Sequence, residues 1–447
     1  MSDYPPQVSS LTPPVSPFPS QVSDLKSPVS PPRWFCCQLG ARMHYAVPRL
    51  LHAAGGLERF YTDIYAGQRG WPRLLAALPG KCCPSGIRRL LGRKAVGMPE
   101  DRIQSYLWFG LAYYARLKRA KNPEALAQAH LWAGKTFGGK VVRSGFGNAT
   151  AVYAFNTAAL EILTAARRRG LFTVVEQTIV PRAIEETLLA EAQSRYPGWE
   201  PDRSQSPTVT ALAQREREEW GQADLIICGS EFVRDGIQRC GGPVERCVVV
   251  PYGVDTHFVP RLREGSKGPL RVLTVGQVGL RKGAGSALEV AERLRGTAEF
   301  RWVGPVGLLD GARTEMSRHV ELTGVVARGD IMKHYDWADV FFLPSICEGS
   351  ATVTYEALAC GLPVVTTPNA GSVVADGVDG FILPIYDVAA MAERLRQLHD
   401  DRPRLVQLSR AAALRAEEVS LAAYQQRFLR LLAPNAGQGG LRQKHED

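Results

Sequence analysis

Between Leu270 and Pro384 the chain repeats short runs rich in β-branched and aromatic residues, each closed by glycine, proline or threonine. The runs Leu270–Gln277, Phe300–Val303, Val320–Thr323, Val340–Pro344, Val364–Thr367 and Phe381–Pro384 are the length of strands and too short for buried helices. They are expected to be buried on both faces, as in a parallel sheet. Helical stretches at about 284–295, 330–337, 352–360 and 387–399 fall among them. That alternation specifies an α/β, doubly wound parallel sheet.

The N-terminal half repeats the theme less regularly. Trp34–Leu39 reads as a strand leading into Gly40-Ala41-Arg42-Met43-His44, with a helix from about Val47. The middle reads as mostly helical and basic to Lys121. The apolar Val152–Ala166, the basic Arg167–Gly170 and the run Phe172–Gln177 then suit an α/β unit. Asp224–Gly229 is a further buried strand, Ser230 an N-cap for the next helix, and Val248–Pro251 a short apolar run followed by Tyr252-Gly253-Val254-Asp255. A chain of 447 residues has room for two core-bearing domains. They are expected at 34–260 and 268–415, with a linker over Thr256–Gly268 and a helix at 416–433. The first 32 residues hold nine prolines and eight serines and no apolar signal-peptide core, so the tail 1–33 is expected to be disordered, as is 434–447.

The most chemically pointed stretch is residues 343–371, LPSICEGSATVTYEALACGLPVVTTPNAG. It reads as a strand end, the turn Glu348-Gly349-Ser350-Ala351, a helix opening at Thr352, and a second strand. A strand-to-helix turn offers free backbone N–H groups to an anion. Two carboxylates, Glu348 and Glu356, suit a ligand that also carries hydroxyls, because each can accept several O–H donors. Phosphate beside hydroxyls is what a nucleotide sugar presents. The alternative is an ordinary strand–helix turn with solvated glutamates.

These residues resemble the Glu-x7-Glu signature of the retaining glycosyltransferases of family four, which have the GT-B fold of two facing Rossmann-like domains and an interdomain cleft. Glu348, Gly349, Glu356, Ala357, Gly361, Pro363-Val364-Val365, Asp376-Gly377 and Gly380 carry the likeness, which runs from roughly Ala223 to Leu398. It implies that Glu348 touches the donor sugar and Glu356 the ribose hydroxyls. It also implies that the last helix crosses back to the first domain. Ser350-Ala351 stand where the family commonly has an aromatic and a glycine, which leaves the sugar open.

A second anchor is Val275-Gly276-Gln277-Val278-Gly279-Leu280-Arg281-Lys282-Gly283. A strand ends at Gly276 and a loop supplies adjacent cations at the carboxyl edge of the sheet, where ligands of such sheets bind. Arg281 can grip a diphosphate bidentately and Lys282 adds a point charge. The resemblance makes this pair the diphosphate site. It also makes Gly304-Pro305 and Gly324-Val325-Val326 the loops that meet the base. On the N-terminal side Gly40 is expected to allow backbone approach to phosphate, and Arg42 and His44 to reach phosphate or acceptor. Glu176-Gln177 are expected to face the cleft. No residue is unambiguously a general base.

The candidate catalytic residues are therefore Glu348, Arg281, Lys282 and His44. The candidate donor-binding residues are Glu356, Gly349, Ser350, Ala351, Thr352, Gly276, Val325 and Gly40. The reading is a hexosyl transfer from a nucleotide-diphosphate sugar to a glycan or lipid-linked acceptor, with no cofactor and no metal. A nucleotide-sugar epimerase shares the fold and would act without an acceptor; a non-catalytic nucleotide-sugar scaffold is a third reading, against which the intact set Arg281, Lys282, Glu348 and Glu356 argues. A phosphorylase would need a pyridoxal phosphate lysine that is not evident.

Charge and cysteines bear on partners. Nine cysteines, odd in number and without a CxxC spacing, indicate a reduced, cytoplasmic protein without a structural metal. Residues 81–121 hold ten Lys and Arg against Glu100 and Asp101, a net of +8 out of the chain's +10. Tyr106, Trp108, Phe109, Tyr113 and Tyr114 interleave with them, and Ile103, Leu107, Gly110, Leu111, Tyr114 and Leu117 recur at helical spacing. Such a segment suits peripheral contact with an anionic membrane on its inner face, or simply a packed helix with a solvated basic face. Nucleic acid is not expected, because no binding motif accompanies the charge.

Overall fold

The computed structural model describes residues 32–67, 92–95, 97–203, 206–254, 258–263 and 268–432. Nearly all of the two tails, the linker residues 255–257 and 264–267, and residues 81–91 and 96 of the basic segment lie outside this description.

Two wholly parallel sheets organise the described residues. The first contains β1 (Trp34–Gln38), β2 (Leu57–Thr62), β3 (Ile103–Ser105), β4 (Ala151–Phe155), β5 (Phe172–Gln177), β6 (Leu225–Cys228) and β7 (Cys247–Val249), in the order β3-β2-β1-β4-β5-β6-β7. The second contains β8 (Leu270–Val275), β9 (Ala298–Val303), β10 (Val320–Gly324), β11 (Val340–Leu343), β12 (Val364–Thr366) and β13 (Gly380–Ile382), in the order β10-β9-β8-β11-β12-β13. In both, the order reverses beside the first strand, so each half is doubly wound with its switch point at that strand's carboxyl end. The central strands are buried end to end; β1, β4, β6 and β11 expose no residue. That burial is why they read as continuous apolar runs rather than as alternating ones.

The six C-terminal strands lie within a few residues of their expected places. The N-terminal middle differs from expectation. It contains β2 and β3 as well as helices, and Ile103 opens β3 rather than a helix. The helix Leu107–Arg119 buries the expected Gly110 together with Phe109, and half-buries Leu107, Leu111, Tyr114 and Leu117. Gly110 sits where a Cβ would lie 2.4 Å from Ile64 Cγ1, so the glycine sets the close approach of helix to sheet.

The halves meet through several directed contacts. Glu200 accepts from the Leu280 N–H at 2.7 Å, Trp199 O accepts from the Leu309 N–H at 2.8 Å, and Tyr196 donates to Glu289 at 2.7 Å. The chain leaves the first half at Val254, which bridges Ser420. The final helix, Leu421–Leu432, then packs Tyr424 on Tyr252 and Phe428 on Tyr153. A C-terminal element therefore closes the core of the N-terminal sheet.

Candidate functional site

A cavity of about 500 Å³ lies between the carboxyl edges of the two sheets. Its C-terminal wall is built by two loops tied to each other. The amides of Ile346 and Cys347 both donate to the Arg281 carbonyl, at 3.0 and 3.3 Å. The turn carrying Glu348 is thereby fixed against the turn carrying the cations. Glu348 pairs with Lys282 Nζ at 2.9 Å and with Arg281 at 3.4 Å. Burial alone would raise the Glu348 carboxyl, but the two cations outweigh it and hold it below its ordinary value of 4.5. Glu348 is accordingly a carboxylate at neutral pH. Burial weakens Arg281, yet Glu348 and Glu185 leave its pKa raised.

Gly276 supports this arrangement from below. A Cβ there would stand 2.5 Å from Lys282 Cε and 2.9 Å from Cδ, and its φ of +128° is one that side chains avoid. Lys282 reaches Glu348 across the bare backbone of Gly276. Gly349 does the equivalent between the halves. Its Cα lies against Thr178 and Ile179 of the N-terminal half, 2.0 Å from Thr178 O to an imagined Cβ, and its carbonyl accepts from the Ser230 hydroxyl.

The helix Thr352–Ala359 starts at the cavity and carries Glu356 one turn in. Glu356 accepts from the Tyr335 hydroxyl at 2.7 Å, which orients its carboxylate at the cavity wall. Ser350 and Tyr355 hydroxyls share a hydrogen bond at 2.6 Å and brace the turn.

The opposite wall comes from the segment after β1. Met43, His44 and Tyr45 are consecutive non-glycine residues in the left-handed region, with φ of 45°, 50° and 61°. Each costs roughly 1–2 kcal/mol relative to ordinary backbone. Tyr45 anchors the turn: it is buried, donates to Ile64 O at 3.2 Å and packs on Phe60 and Tyr65. The turn presents Arg42 and His44 to the cavity.

Of the twelve candidate residues, nine line this cavity: Glu348, Arg281, Lys282, His44, Glu356, Gly349, Ser350, Ala351 and Thr352. Gly40, Gly276 and Val325 do not. The Gly40 amide is committed to Asp63 Oδ1 at 3.0 Å. Gly276 hydrogen-bonds Val303 and Trp302 on the sheet side. Val325 stands two-thirds exposed beyond β10. Glu176 and Gln177 are corrected outright. Glu176 is fully buried and accepts from the Tyr153 and Tyr252 hydroxyls at 2.5 and 2.7 Å, and Gln177 is spent on Ile179, Glu216 and Trp220. The sequence reading missed Arg49, Thr178, Tyr252, Phe258 and Leu421, which also line the cavity and come from scattered places in the chain. Among the described residues no cluster of three His, Cys, Asp or Glu has the form of a metal site.

Residues 269–401 match the family model described as Glycosyl transferases group 1. Among curated proteins, the amylovoran biosynthesis glycosyltransferase AmsK of Erwinia amylovora is 28% identical over 44% of this chain and 53% of its own length. The putative colanic acid biosynthesis glycosyltransferase WcaL of Escherichia coli K12 is 31% identical over 39% and 47%. The chain thus spans about half the length of the curated relatives it matches. Among solved structures, a sucrose-phosphate synthase from Thermosynechococcus elongatus superposes with TM-score 0.62 at 14% identity, over 89% of this chain and 97% of that one. Anabaena Alr3699/HepE, solved with UDP and glucose, does so with TM-score 0.57 at 15% identity, over 90% and 99%. At such identities the likeness is one of fold, and that fold is GT-B, with two facing Rossmann-like halves. Residues 269–401 are thus similar to the glycosyl transferases group 1 family, on a GT-B architecture.

Proposed function

We propose that the protein is a retaining glycosyltransferase that moves a sugar from a nucleotide-diphosphate donor to a glycan or lipid-linked acceptor. One observation carries the reading: Glu348 is held as a buried carboxylate by Arg281 and Lys282 in a cleft that Glu356 also lines. Cations for a diphosphate and carboxylates for hydroxyls converge there on one ligand-sized space. The second half is the donor side and the first the acceptor side.

In this scheme Arg281 and Lys282 bind the diphosphate and stabilise the charge that grows on it as the sugar C1–O bond breaks. Glu348 exchanges its ion pairs for donor-sugar hydroxyls, and Glu356 takes the ribose. The acceptor oxygen bonds to C1 on the face the diphosphate leaves. Its proton passes to the departing phosphate oxygen, so no side-chain base is required. Two protein cations take the place of a metal. His44 sits on the wall where the acceptor would approach. A UDP-sugar is the first donor to try, because the HepE structure holds UDP.

The test is product analysis by NMR with UDP-, GDP- and ADP-sugars, with and without a panel of glycan and lipid-phosphate acceptors. The reading expects diphosphate release that depends on acceptor, with the donor's anomeric configuration kept. An inverted product, or loss on adding EDTA, would contradict it. A rearranged sugar from donor alone would make the protein an epimerase.

We also propose peripheral contact with anionic membranes through the basic segment. Trp108 is 82% exposed on its described part, and Lys118 and Arg119 are exposed nearby. Among the described residues no helix is long and apolar enough to cross a membrane. Failure to co-sediment with anionic vesicles at low salt would remove this part.

A further inference from the structure

A second cavity, of about 380 Å³, adjoins the first and shares two walls with it, Arg49 and Leu421. Arg49 and His52 are three apart on the helix Ala46–Ala53 and so lie on one face, which lines this space. The other walls are largely apolar, Leu50, Ala53 and Met98 among them, and no carboxylate lines the cavity among the described residues.

Partly buried cations in this protein are generally paired. Arg215 has Glu161 and Glu219, Arg271 has Asp339, Arg415 has Asp379 and Glu418, and Lys282 has Glu348. Half-buried Arg49 breaks the pattern: its guanidinium, like that of the exposed Arg42 beside it in the cleft, has neither an ion pair nor a hydrogen bond to any described residue. The acid that acts on Arg42 at longer range is Glu176, and both of its oxygens already accept tyrosine hydroxyls. The N-terminal wall of the cleft therefore presents two guanidiniums without counterions among the described residues, backed by an apolar trough.

We infer that this wall is a subsite for a phosphate group on the acceptor, held by Arg49 with support from Arg42, with the acceptor's adjoining part in the second cavity. The inference rests on the transferase reading and names its acceptor class. Guanidinium suits it because its planar fork matches phosphate oxygens bidentately. A phosphate on a soluble metabolite and one on a lipid share this chemistry, and the trough distinguishes them.

The test uses the full chain saturated with UDP, so that Arg281 and Lys282 are occupied. Hexyl phosphate, glycerol 3-phosphate and uncharged hexyl glucoside are then titrated calorimetrically. Both phosphates are expected to bind and the glucoside to bind far more weakly. Arg49→Gln should weaken the phosphates on the order of tenfold or more, as loss of a charged hydrogen-bond donor does. It should leave UDP binding unchanged, and Arg49→Lys should keep part of the affinity. Hexyl phosphate binding more tightly than glycerol 3-phosphate assigns the site to a lipid phosphate; equal binding assigns it to a soluble one. The inference is overturned if Arg49→Gln melts like wild type yet binds the phosphates equally, if the glucoside binds as well as they do, or if they displace UDP. If UDP itself fails to bind while Arg49-dependent phosphate binding persists, the transferase reading falls and the anion site stands.

Discussion

Replacing Glu348 by Gln keeps its shape and removes the charge that two cations face. Lys282 is about one-tenth exposed and loses its carboxylate at 2.9 Å, whereas Arg281 at 3.4 Å is 38% exposed and can be solvated instead. Removing one partner of a buried pair costs about 3–5 kcal/mol, and an exposed pair contributes at most about 1 kcal/mol. Because the Gln carbonyl still accepts from Lys282, the expected loss falls somewhat below that range, about 2–3 kcal/mol. The loss should depend on pH. The Glu348 carboxyl lies below its ordinary 4.5 in the folded protein, so its contribution is present above that value and fades as pH falls through the lowered one. Urea unfolding of the two proteins without ligand, at neutral pH and at successively lower pH, reads this directly, and the two curves should converge in acid. A second reading comes from UDP. With the competing carboxylate gone, Arg281 and Lys282 are freer for diphosphate, so the variant should bind UDP more tightly while transfer falls by about a hundredfold, some 2.7 kcal/mol of transition-state stabilisation. Equal stability at neutral pH, or a deficit that persists unchanged in acid, would refute the ion-pair argument.

Two further perturbations probe the supports of the site. Gly276→Ala should push Lys282 off its path, since the new Cβ would lie 2.5 Å from Cε; UDP affinity should fall about tenfold or more, and wild-type affinity would show that the lysine has another route. Comparing His44→Gly with His44→Ala isolates backbone strain at φ 50°: both lose the imidazole, and the glycine variant should be the more stable by about 1 kcal/mol in urea unfolding. If the alanine variant is as stable as the glycine one, the left-handed turn is not strained.

The C-terminal half was the more legible because its physics is local. Strands such as Val340–Leu343 are buried on both faces, so their apolar runs stand out, and Pro344 and Gly361 punctuate them. The loop cations and the two glutamates were legible as well, since strand-to-helix turns of such sheets face the ligand. Other features depend on partners far away in sequence. Glu176 ends a strand as a cleft residue would, but hydroxyls from Tyr153 and Tyr252 enclose it. The left-handed turn at Met43–Tyr45 contains no glycine or asparagine to announce it; the buried anchoring of Tyr45 holds it. Phe109, which the apolar spacing left out, is buried beside Gly110, because Gly110 lets the helix approach Ile64. Arg49 carried no signal, because what sets it apart is that no carboxylate among the described residues pairs with it.

The central claim is that Arg281 and Lys282 bind the diphosphate of a nucleotide. The most direct test is unfolding stability of the full chain with UDP, GDP, ADP and CMP, beside the double variant Arg281→Ala/Lys282→Ala. A ligand at about 100 times its dissociation constant adds roughly 2.7 kcal/mol. The account predicts that one diphosphate stabilises the wild type by this amount and leaves the double variant unmoved. No stabilisation by any nucleotide, or equal stabilisation of both proteins, would contradict it.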